Sequence, residues 1–256
     1  MADLLKGKIA IVTGAGSGMG RQISELFVKE GAKVMLADIN PDGLKQTAAE
    51  IDAKGDATST VITNVAKEAD IVNMVKQTID TYSKVDILVN NAGIVDNIKT
   101  VENMTDDVWD RVLAINLTGP FKAAREVIKY MLQQKDGGNI INMASVGGLF
   151  GSRGGVAYTA TKHGIIGLTK NIAATYGIYH HIRSNAIAPG NIATNIQKTI
   201  NDPDELGMKA MSAIGGMTAP GGKPEQIAQV ALFLASDQSK FVNGAVITAD
   251  GGWTAM

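Results

Sequence analysis

The sequence lacks cysteine and has few histidines. Its 256 residues include no Cys and three His, at positions 163, 180 and 181. The missing thiols exclude disulfide bonds, cysteine nucleophiles and thiolate metal sites, and they fit a reducing compartment. The histidines show neither the i, i+4 spacing of a helical zinc site nor a His-Glu-x-x-His motif. We therefore expect no bound metal.

Two further absences concern charge and long apolar runs. The chain carries 24 basic and 25 acidic residues, a formal net charge of −1 that gives no long-range field toward nucleic acid or anionic membranes. No apolar stretch approaches the length of a membrane span, and the N-terminus has no signal-peptide pattern. We expect a cytoplasmic protein without nucleic-acid or membrane partners, and one domain over residues 1–256.

Short β-rich runs alternate with longer helical patterns along the chain. Residues 9–12 are continuously apolar, as strands are when helices cover both faces of a sheet. This predicts an α/β, doubly wound Rossmann fold, a seven-stranded parallel sheet with helices on both faces. The predicted strands are Lys8–Thr13, Lys33–Asp38, Ala57–Ile62, Asp86–Asn90, Asn139–Ala144, Ile182–Ala188 and Ala245–Ala249.

The segment from Thr194 to about Lys223 has a different composition. It is rich in Gly, Pro and Met, with one short helical pattern between Pro203 and Ile214. We interpret it as a substrate lid inserted before the final helix and strand.

The first strand is followed by a glycine-rich turn over residues 13–20. Gly14, Gly18 and Gly20 permit a tight turn and close approach of a pyrophosphate to the next helix N-terminus, although a tight connection alone is the other reading. Asp38 ends the second strand, where a carboxylate can bind an adenosine ribose and repel a 2′-phosphate. A helix cap at Asp38 or Asn40 is the alternative.

Tyr158 and Lys162 are four residues apart. On a helix they lie on one face, so the ammonium can favour the phenolate of a side chain whose ordinary pKa is near 10. The pair predicts a general base, although Tyr-x-x-x-Lys also arises by chance on amphipathic helices.

Polar residues also end two later strands. Residues 90–93 read Asn-Asn-Ala-Gly, and Ser145 ends the fifth strand; the hydroxyl suits hydrogen bonding to a substrate oxygen, or it is only a turn residue. Asn116 lies inside a helix predicted around Val108–Tyr130, where it indicates either a water site or a helix distortion.

Together these motifs resemble the short-chain dehydrogenase/reductase family of the standard type, over essentially the whole chain. They are Thr13–Gly20, Asn90–Gly93, the tetrad Asn116, Ser145, Tyr158 and Lys162, Pro189-Gly190 followed by Thr194, and Asp250-Gly251-Gly252. The resemblance implies that Tyr158 is the general acid/base and that Lys162 lowers its pKa and binds the nicotinamide ribose. It also implies that Ser145 orients the substrate oxygen, that Asn116 positions a water in a proton relay, and that the protein is a homotetramer.

The resemblance implies a nicotinamide cofactor, and three residues favour NAD over NADP. Asp38 is present, while Ser17 and Ile39 occupy positions that are usually basic in NADP-preferring relatives. Asn64 departs from the usual Asp-Val at the adenine, and Met19 replaces the usual isoleucine. The expected cofactor-binding residues are Gly14, Ser17, Gly18, Met19, Gly20, Asp38, Ile39, Asn64, Val65, Asn91, Ala92, Gly93, Tyr158, Lys162, Pro189, Gly190, Ile192 and Thr194.

For the substrate we expect an uncharged alcohol or ketone of small or medium size. Arg153 is the only charge between Ser145 and Tyr158, and a solvated loop arginine is favoured over one that binds an anion. The expected substrate wall comprises Ser145, Val146, Leu149, Tyr158, Asn191, Met208 and Met211, with Ile94, Val95 and Met217.

Three functions compete. The first is an oxidoreductase that transfers a hydride between NAD(H) and a secondary alcohol or ketone. The second is a 3-oxoacyl-carrier-protein reductase of the same family, against which Asp38 and the near-neutral charge argue. The third is a nucleotide-binding protein without turnover, which would be expected to lose members of the tetrad.

Overall fold

The computed structural model describes residues 3–215 and 221–255. Within these ranges seven parallel strands form one sheet in the order β3-β2-β1-β4-β5-β6-β7. They are β1 (Ile9–Thr13), β2 (Lys33–Asp38), β3 (Thr58–Ile62), β4 (Ile87–Asn90), β5 (Gly138–Met143), β6 (Ile182–Pro189) and β7 (Val246–Ala249). The doubly wound fold and its seven strands are confirmed, each strand within one residue of its predicted bounds.

Helices cover both faces of this sheet. They are α1 (Gly18–Lys29), α2 (Pro41–Ile51), α3 (Glu68–Tyr82), α4 (Asp106–Leu113), α5 (Gly119–Met131), α6 (Val156–His180), α7 (Glu205–Ala213) and α8 (Pro224–Ala235). One buried cluster includes Phe27 of α1 and Leu234 of α8, and a second includes Met74 of α3 and Val127 of α5. Strand β1 lies between β2 and β4, so the strand order reverses there and opens a crevice at the carboxyl ends of the strands.

The helix predicted around Val108–Tyr130 is interrupted. A π-helical turn, Ala114–Thr118, separates α4 from α5 and contains the buried Asn116. The distortion that the asparagine indicated is therefore present. Such turns occur frequently at functional sites.

The segment predicted as a lid contains a short 3₁₀ turn, Asn195–Thr199, and then α7. Asp204 caps α7, and its carboxylate accepts a hydrogen bond from the Gly207 N–H. Met217 lies outside the described residues. In the described part of the chain, no helix is long and apolar enough to cross a membrane, and no cluster of side chains could hold a metal ion.

Candidate active site

The glycine turn brings the start of α1 against the end of β4. Gly14 and Gly18 have φ angles of 69° and 53°, in the left-handed region that favours glycine. A Cβ on Gly20 would collide with the carbonyl oxygen of Gly14. The turn therefore needs these glycines, and it directs the N–H groups that begin α1 into the crevice, where an anion is favoured.

Two adjoining cavities occupy the crevice. The first, of about 370 Å³, runs along the glycine turn, and the second, of about 520 Å³, lies over α6. The expected cofactor-binding residues that line the first cavity are Gly14, Ser17, Gly18, Met19, Asp38, Ile39, Asn64, Val65, Asn91, Ala92, Gly93 and Thr194. Those that line the second cavity are Met19, Asn91, Gly93, Tyr158, Lys162, Pro189, Gly190, Ile192 and Thr194. Gly20 lines neither cavity, and its contribution is to let the glycine turn pack closely.

Asn91 connects the glycine turn to both cavities. Its Nδ2 donates to the Thr13 carbonyl at 2.9 Å, and its backbone N–H donates to the Thr13 hydroxyl at 3.0 Å. The Asn91 Oδ1 atom is buried and has no hydrogen-bond partner among the described residues. Because a buried acceptor without a donor is costly, this atom suits a ligand that supplies a donor.

Asp38 has a different role from the helix cap that the sequence left open. Asn40 caps α2, accepting from the N–H groups of Asp42 and Gly43. The Asp38 carboxylate accepts from the Gly16 N–H and the Asn40 N–H, each at 2.9 Å. It therefore holds the glycine turn and lines the first cavity.

Lys162 and Tyr158 lie in the first two turns of α6. The Lys162 ammonium is 5.5 Å from the centre of the Tyr158 ring and donates to the Met143 carbonyl at 2.7 Å. Burial lowers the pKa of Lys162 to about 8. Burial also raises the pKa of Tyr158, since it outweighs the hydrogen bond from Ser145 that lowers it, and the charge of Asp96 adds to the rise. The sequence predicted that Lys162 lowers the pKa of Tyr158. In the protein without a cofactor, the pKa of Tyr158 is raised instead.

The two other tetrad residues are buried. Ser145 begins a 3₁₀ turn, and its hydroxyl accepts from the Gly147 N–H at 3.1 Å. The Asn116 amide accepts from the Ile94 N–H at 2.9 Å and donates to the Ile94 carbonyl at 2.8 Å. Asn116 is absent from the lining of both cavities, and its side chain fixes the loop after β4.

Asp96 is a residue that sequence reasoning missed. Its buried carboxylate accepts N–H groups from Ile98 at 3.3 Å, Gly155 at 3.0 Å and Tyr158 at 2.8 Å. It thus caps the start of α6 from a loop 62 residues away from Tyr158. Nothing in the local sequence indicates this role, because all three donors are backbone groups.

Most of the expected substrate wall lines the second cavity. This holds for Ser145, Val146, Tyr158, Asn191, Met208, Met211 and Val95, whereas Ile94 lines the first cavity. Leu149 was expected in this wall but does not line the cavity, because it packs against the cluster of Ala144, Ile165 and Ile166. The sequence also missed Trp253, which lines the second cavity just after the glycine turn at 251 and 252.

The model of the family described as "Enoyl-(Acyl carrier protein) reductase" matches residues 14–254. The chain belongs to the short-chain dehydrogenase/reductase family. It is therefore an oxidoreductase of a family that uses nicotinamide cofactors.

Two curated members of the family are similar over almost their whole length. A 3beta-hydroxysteroid dehydrogenase 2 of Eggerthella lenta is 43% identical, with 98% of this chain and 96% of the relative covered. A 3-oxoacyl-[acyl-carrier-protein] reductase of Thermotoga maritima is 39% identical, with 97% and 98% covered.

Two solved structures share the fold. The crystal structure of levodione reductase has a TM-score of 0.88 at 36% identity and covers 98% of this chain and 99% of its own. A short-chain type dehydrogenase/reductase from Mycobacterium marinum has a TM-score of 0.88 at 30% identity, covering 100% and 98%.

Proposed function

We propose that this short-chain dehydrogenase/reductase transfers a hydride between NAD(H) and a secondary alcohol or ketone, with Tyr158 as the general acid/base. The observation that carries this proposal is the pair of adjoining cavities. One follows the glycine turn and Asp38, the other contains Ser145, Tyr158 and Lys162, and Met19 and Asn91 line both. A dinucleotide in the first can thus present its reactive end to the tyrosine.

The residues present fit such a cofactor. The start of α1 favours the pyrophosphate, Asp38 favours a free ribose 2′-hydroxyl, and the unpartnered Asn91 Oδ1 accepts a donor. When bound, the nicotinamide accepts or supplies the hydride. We propose that the residues named above as cofactor-binding hold it, with Lys162 at the nicotinamide ribose.

In oxidation the Tyr158 phenolate removes the proton of the substrate hydroxyl, and Ser145 holds the same oxygen by a hydrogen bond. The carbinol C–H bond breaks, its electron pair leaves as hydride, and the carbonyl forms. Reduction reverses each step. Because burial raises the pKa of Tyr158 in the protein alone, the phenolate needs the Lys162 ammonium and the positive charge of the oxidised nicotinamide.

Asp38 supports the choice of NAD. A 2′-phosphate beside this carboxylate would be repelled, and the adjacent Ile39 is exposed and offers no positive charge. Asp38→Ser combined with Ile39→Arg is expected to move the ratio of kcat/KM toward NADPH. An unchanged ratio would show that other residues select the cofactor.

A 3-oxoacyl-carrier-protein reductase is the second candidate. The 39% identity with the Thermotoga maritima enzyme favours it. Asp38 and the net charge of −1 argue against it, since that activity normally uses NADPH and an acidic carrier favours a basic surface.

The deciding experiment measures oxidation of NADH and NADPH by the purified protein with 3-oxosteroids, cyclic diketones, simple ketones and 3-oxoacyl thioesters. Tyr158→Phe is run in parallel. We expect turnover of a ketone with NADH that is lost in Tyr158→Phe. Turnover confined to 3-oxoacyl thioesters with NADPH favours the second candidate, and tight cofactor binding without any turnover favours a binding protein.

A further inference from the structure

Arg153 lines the second cavity without an acidic partner. Its Nε atom is buried and has no hydrogen-bond partner among the described residues. In the same part of the chain, no carboxylate lies within 4.0 Å of its guanidinium. A buried N–H donor of a cation is costly to leave unsatisfied, so this atom needs an acceptor that the described protein does not supply.

The acidic groups nearby are already satisfied. Asp96 accepts three backbone N–H groups at the start of α6. Asp250, three residues before Trp253, accepts from the Gly252 N–H and from the N–H and hydroxyl of Thr254. The remaining charged residue in the cavity is the cation Lys162, so the lining has an excess of positive charge.

Aromatic rings hold the guanidinium in place. It lies 4.5 Å from the ring centre of Trp253 and 5.9 Å from that of Phe150. Trp253 is itself buried, and its Nε1 donates to the Ile214 carbonyl at 3.4 Å. An arginine already stacked in this way loses little side-chain freedom when it binds an oxyanion.

The Arg153 side chain begins close to the Tyr158 ring. A Cβ built on Gly147 would be 3.3 Å from Cε1 of Tyr158 and 3.5 Å from Cβ of Arg153, and both residues line the second cavity. A cavity of about 520 Å³ accommodates a fused-ring ligand that reaches both.

We propose that the substrate of this site carries an anionic group, a carboxylate or a sulfate, and that Arg153 binds it. The rest of the cavity is lined largely by apolar side chains such as Ile98, Met208 and Met211, so the substrate is an amphipathic anion. This inference rests on the proposed function and replaces the sequence-based expectation of an uncharged substrate. It also replaces the solvated loop arginine, because Arg153 is stacked and its Nε is buried.

The test uses ketones in matched pairs that differ only in charge. One pair is 3-oxo-5α-androstane-17β-carboxylate and its 17β-carboxamide, and the other is 4-acetylbenzoate and 4-acetylbenzamide. With NADH we expect kcat/KM of the wild type to be at least about tenfold higher for the carboxylate of one pair, as a charge-assisted hydrogen bond supplies. Arg153→Gln is expected to remove this preference by lowering the carboxylate value alone, and Arg153→Lys to keep part of it.

Arg125 provides a matched control. It lies 5.3 Å from the ring centre of Phe121 but forms its ion pair with Glu68, outside both cavities. Arg125→Gln should leave the ratio unchanged. If Arg153 only packs between Phe150 and Trp253, Arg153→Gln should lower kcat/KM equally for both ketones of a pair, and that result would overturn the inference. A wild-type preference for the amides would overturn it as well.

Calorimetric titration of the same pairs into Tyr158→Phe with saturating NADH, where the ketone is expected to bind without being reduced, separates this inference from the proposed function. Tighter carboxylate binding that Arg153→Gln removes, without any turnover by the wild type, upholds the anion site and contradicts the hydride-transfer function. Turnover without charge preference in either assay upholds hydride transfer and contradicts the anion site.

Discussion

At the scale of single residues, the site contains a buried positive charge. The Lys162 ammonium lies among core residues, and the one described hydrogen bond it makes is to the Met143 carbonyl. Its pKa is about 8 in the folded protein, against an ordinary value of 10.5. The unfolded chain therefore binds more protons between these values, so stability rises as the pH increases from 8 to 10.5, and the full cost of burial is present below pH 8.

This predicts that Lys162→Met abolishes turnover yet stabilises the protein without nucleotide. At pH 7 the free energy of unfolding should increase by up to about 3 kcal/mol, with the gain shrinking as the pH approaches 10.5. Urea unfolding at pH 7 and at pH 10 measures both effects. A variant less stable than the wild type at pH 7 would mean that the ammonium supports the fold.

Asp96 affects Tyr158 both by geometry and by charge. After burial, the charge of Asp96 is the other influence that raises the pKa of the tyrosine. Asp96→Asn keeps the size of the side chain and removes the charge. Because the proposed oxidation requires the phenolate, the rising limb of kcat/KM against pH should move to lower pH in this variant.

The profile is measured for alcohol oxidation alongside Asp80→Asn as a control. Asp80 is exposed and pairs with Lys76 on α3, so Asp80→Asn should not shift the rising limb of kcat/KM against pH. If this limb stays in place or moves to higher pH in Asp96→Asn, the result would contradict an electrostatic effect on Tyr158 and leave Asp96 as a cap of α6 only.

At the scale of elements, helix α7 is held to the loop after β4 by hydrogen bonds. The Asp204 carboxylate accepts from Asn103 Nδ2 at 2.8 Å and from the Thr100 hydroxyl at 3.1 Å, in addition to the Gly207 N–H. The same loop contains Ile98 with φ 56°, a strained conformation for a β-branched residue. The loop that carries Asp96 thus also positions α7.

We predict that Asp204→Asn loosens α7 and raises KM more than it lowers kcat, since Met208 and Met211 line the second cavity, where we propose that the substrate binds. Hydrogen bonds, the one from the Gly207 N–H first, lower the pKa of Asp204 to about 2. The contribution of these hydrogen bonds to stability is therefore present above about pH 4 and is lost as the pH falls toward 2.

Hydrogen exchange measures the loosening of α7. Exchange of residues 205–213 should be faster in Asp204→Asn than in the wild type at pH 7, and Glu205→Gln, at the exposed next position, serves as the control. Equal exchange in Asp204→Asn and the wild type would contradict this role.

The strands and the glycine turn could be predicted because their causes are local. Continuous apolar runs such as residues 9–12 define buried strands, and Gly14 and Gly18 are required by the backbone conformation. The features that could not be predicted depend on distant partners. The Asn116 amide binds the backbone of Ile94, 22 residues earlier in the chain, and Asp96 binds the backbone N–H of Tyr158 on α6. Leu149 packs against a cluster that includes Ile165 and Ile166 of the same helix.

At the scale of the whole molecule, one domain and a homotetramer both stay predictions. Apolar side chains are exposed on two helices, with Ile178 and Tyr179 more than three-quarters exposed at the end of α6 and Phe121 partly exposed on α5. A second copy covering such surface would remove it from water. Light scattering after size exclusion should give four times the 26.8 kDa chain mass. A mass of one chain at micromolar concentration would contradict the tetramer.

We propose that hydride passes between the nicotinamide and a carbonyl carbon under control of Tyr158. This transfer is tested most directly with NADH deuterated at both C4 positions and a ketone from the panel, with the alcohol product analysed by mass spectrometry. We predict one deuterium on the carbinol carbon with the wild type and no labelled product with Tyr158→Phe. NADH oxidation without label in the product, or labelling that persists unchanged in Tyr158→Phe, would contradict it.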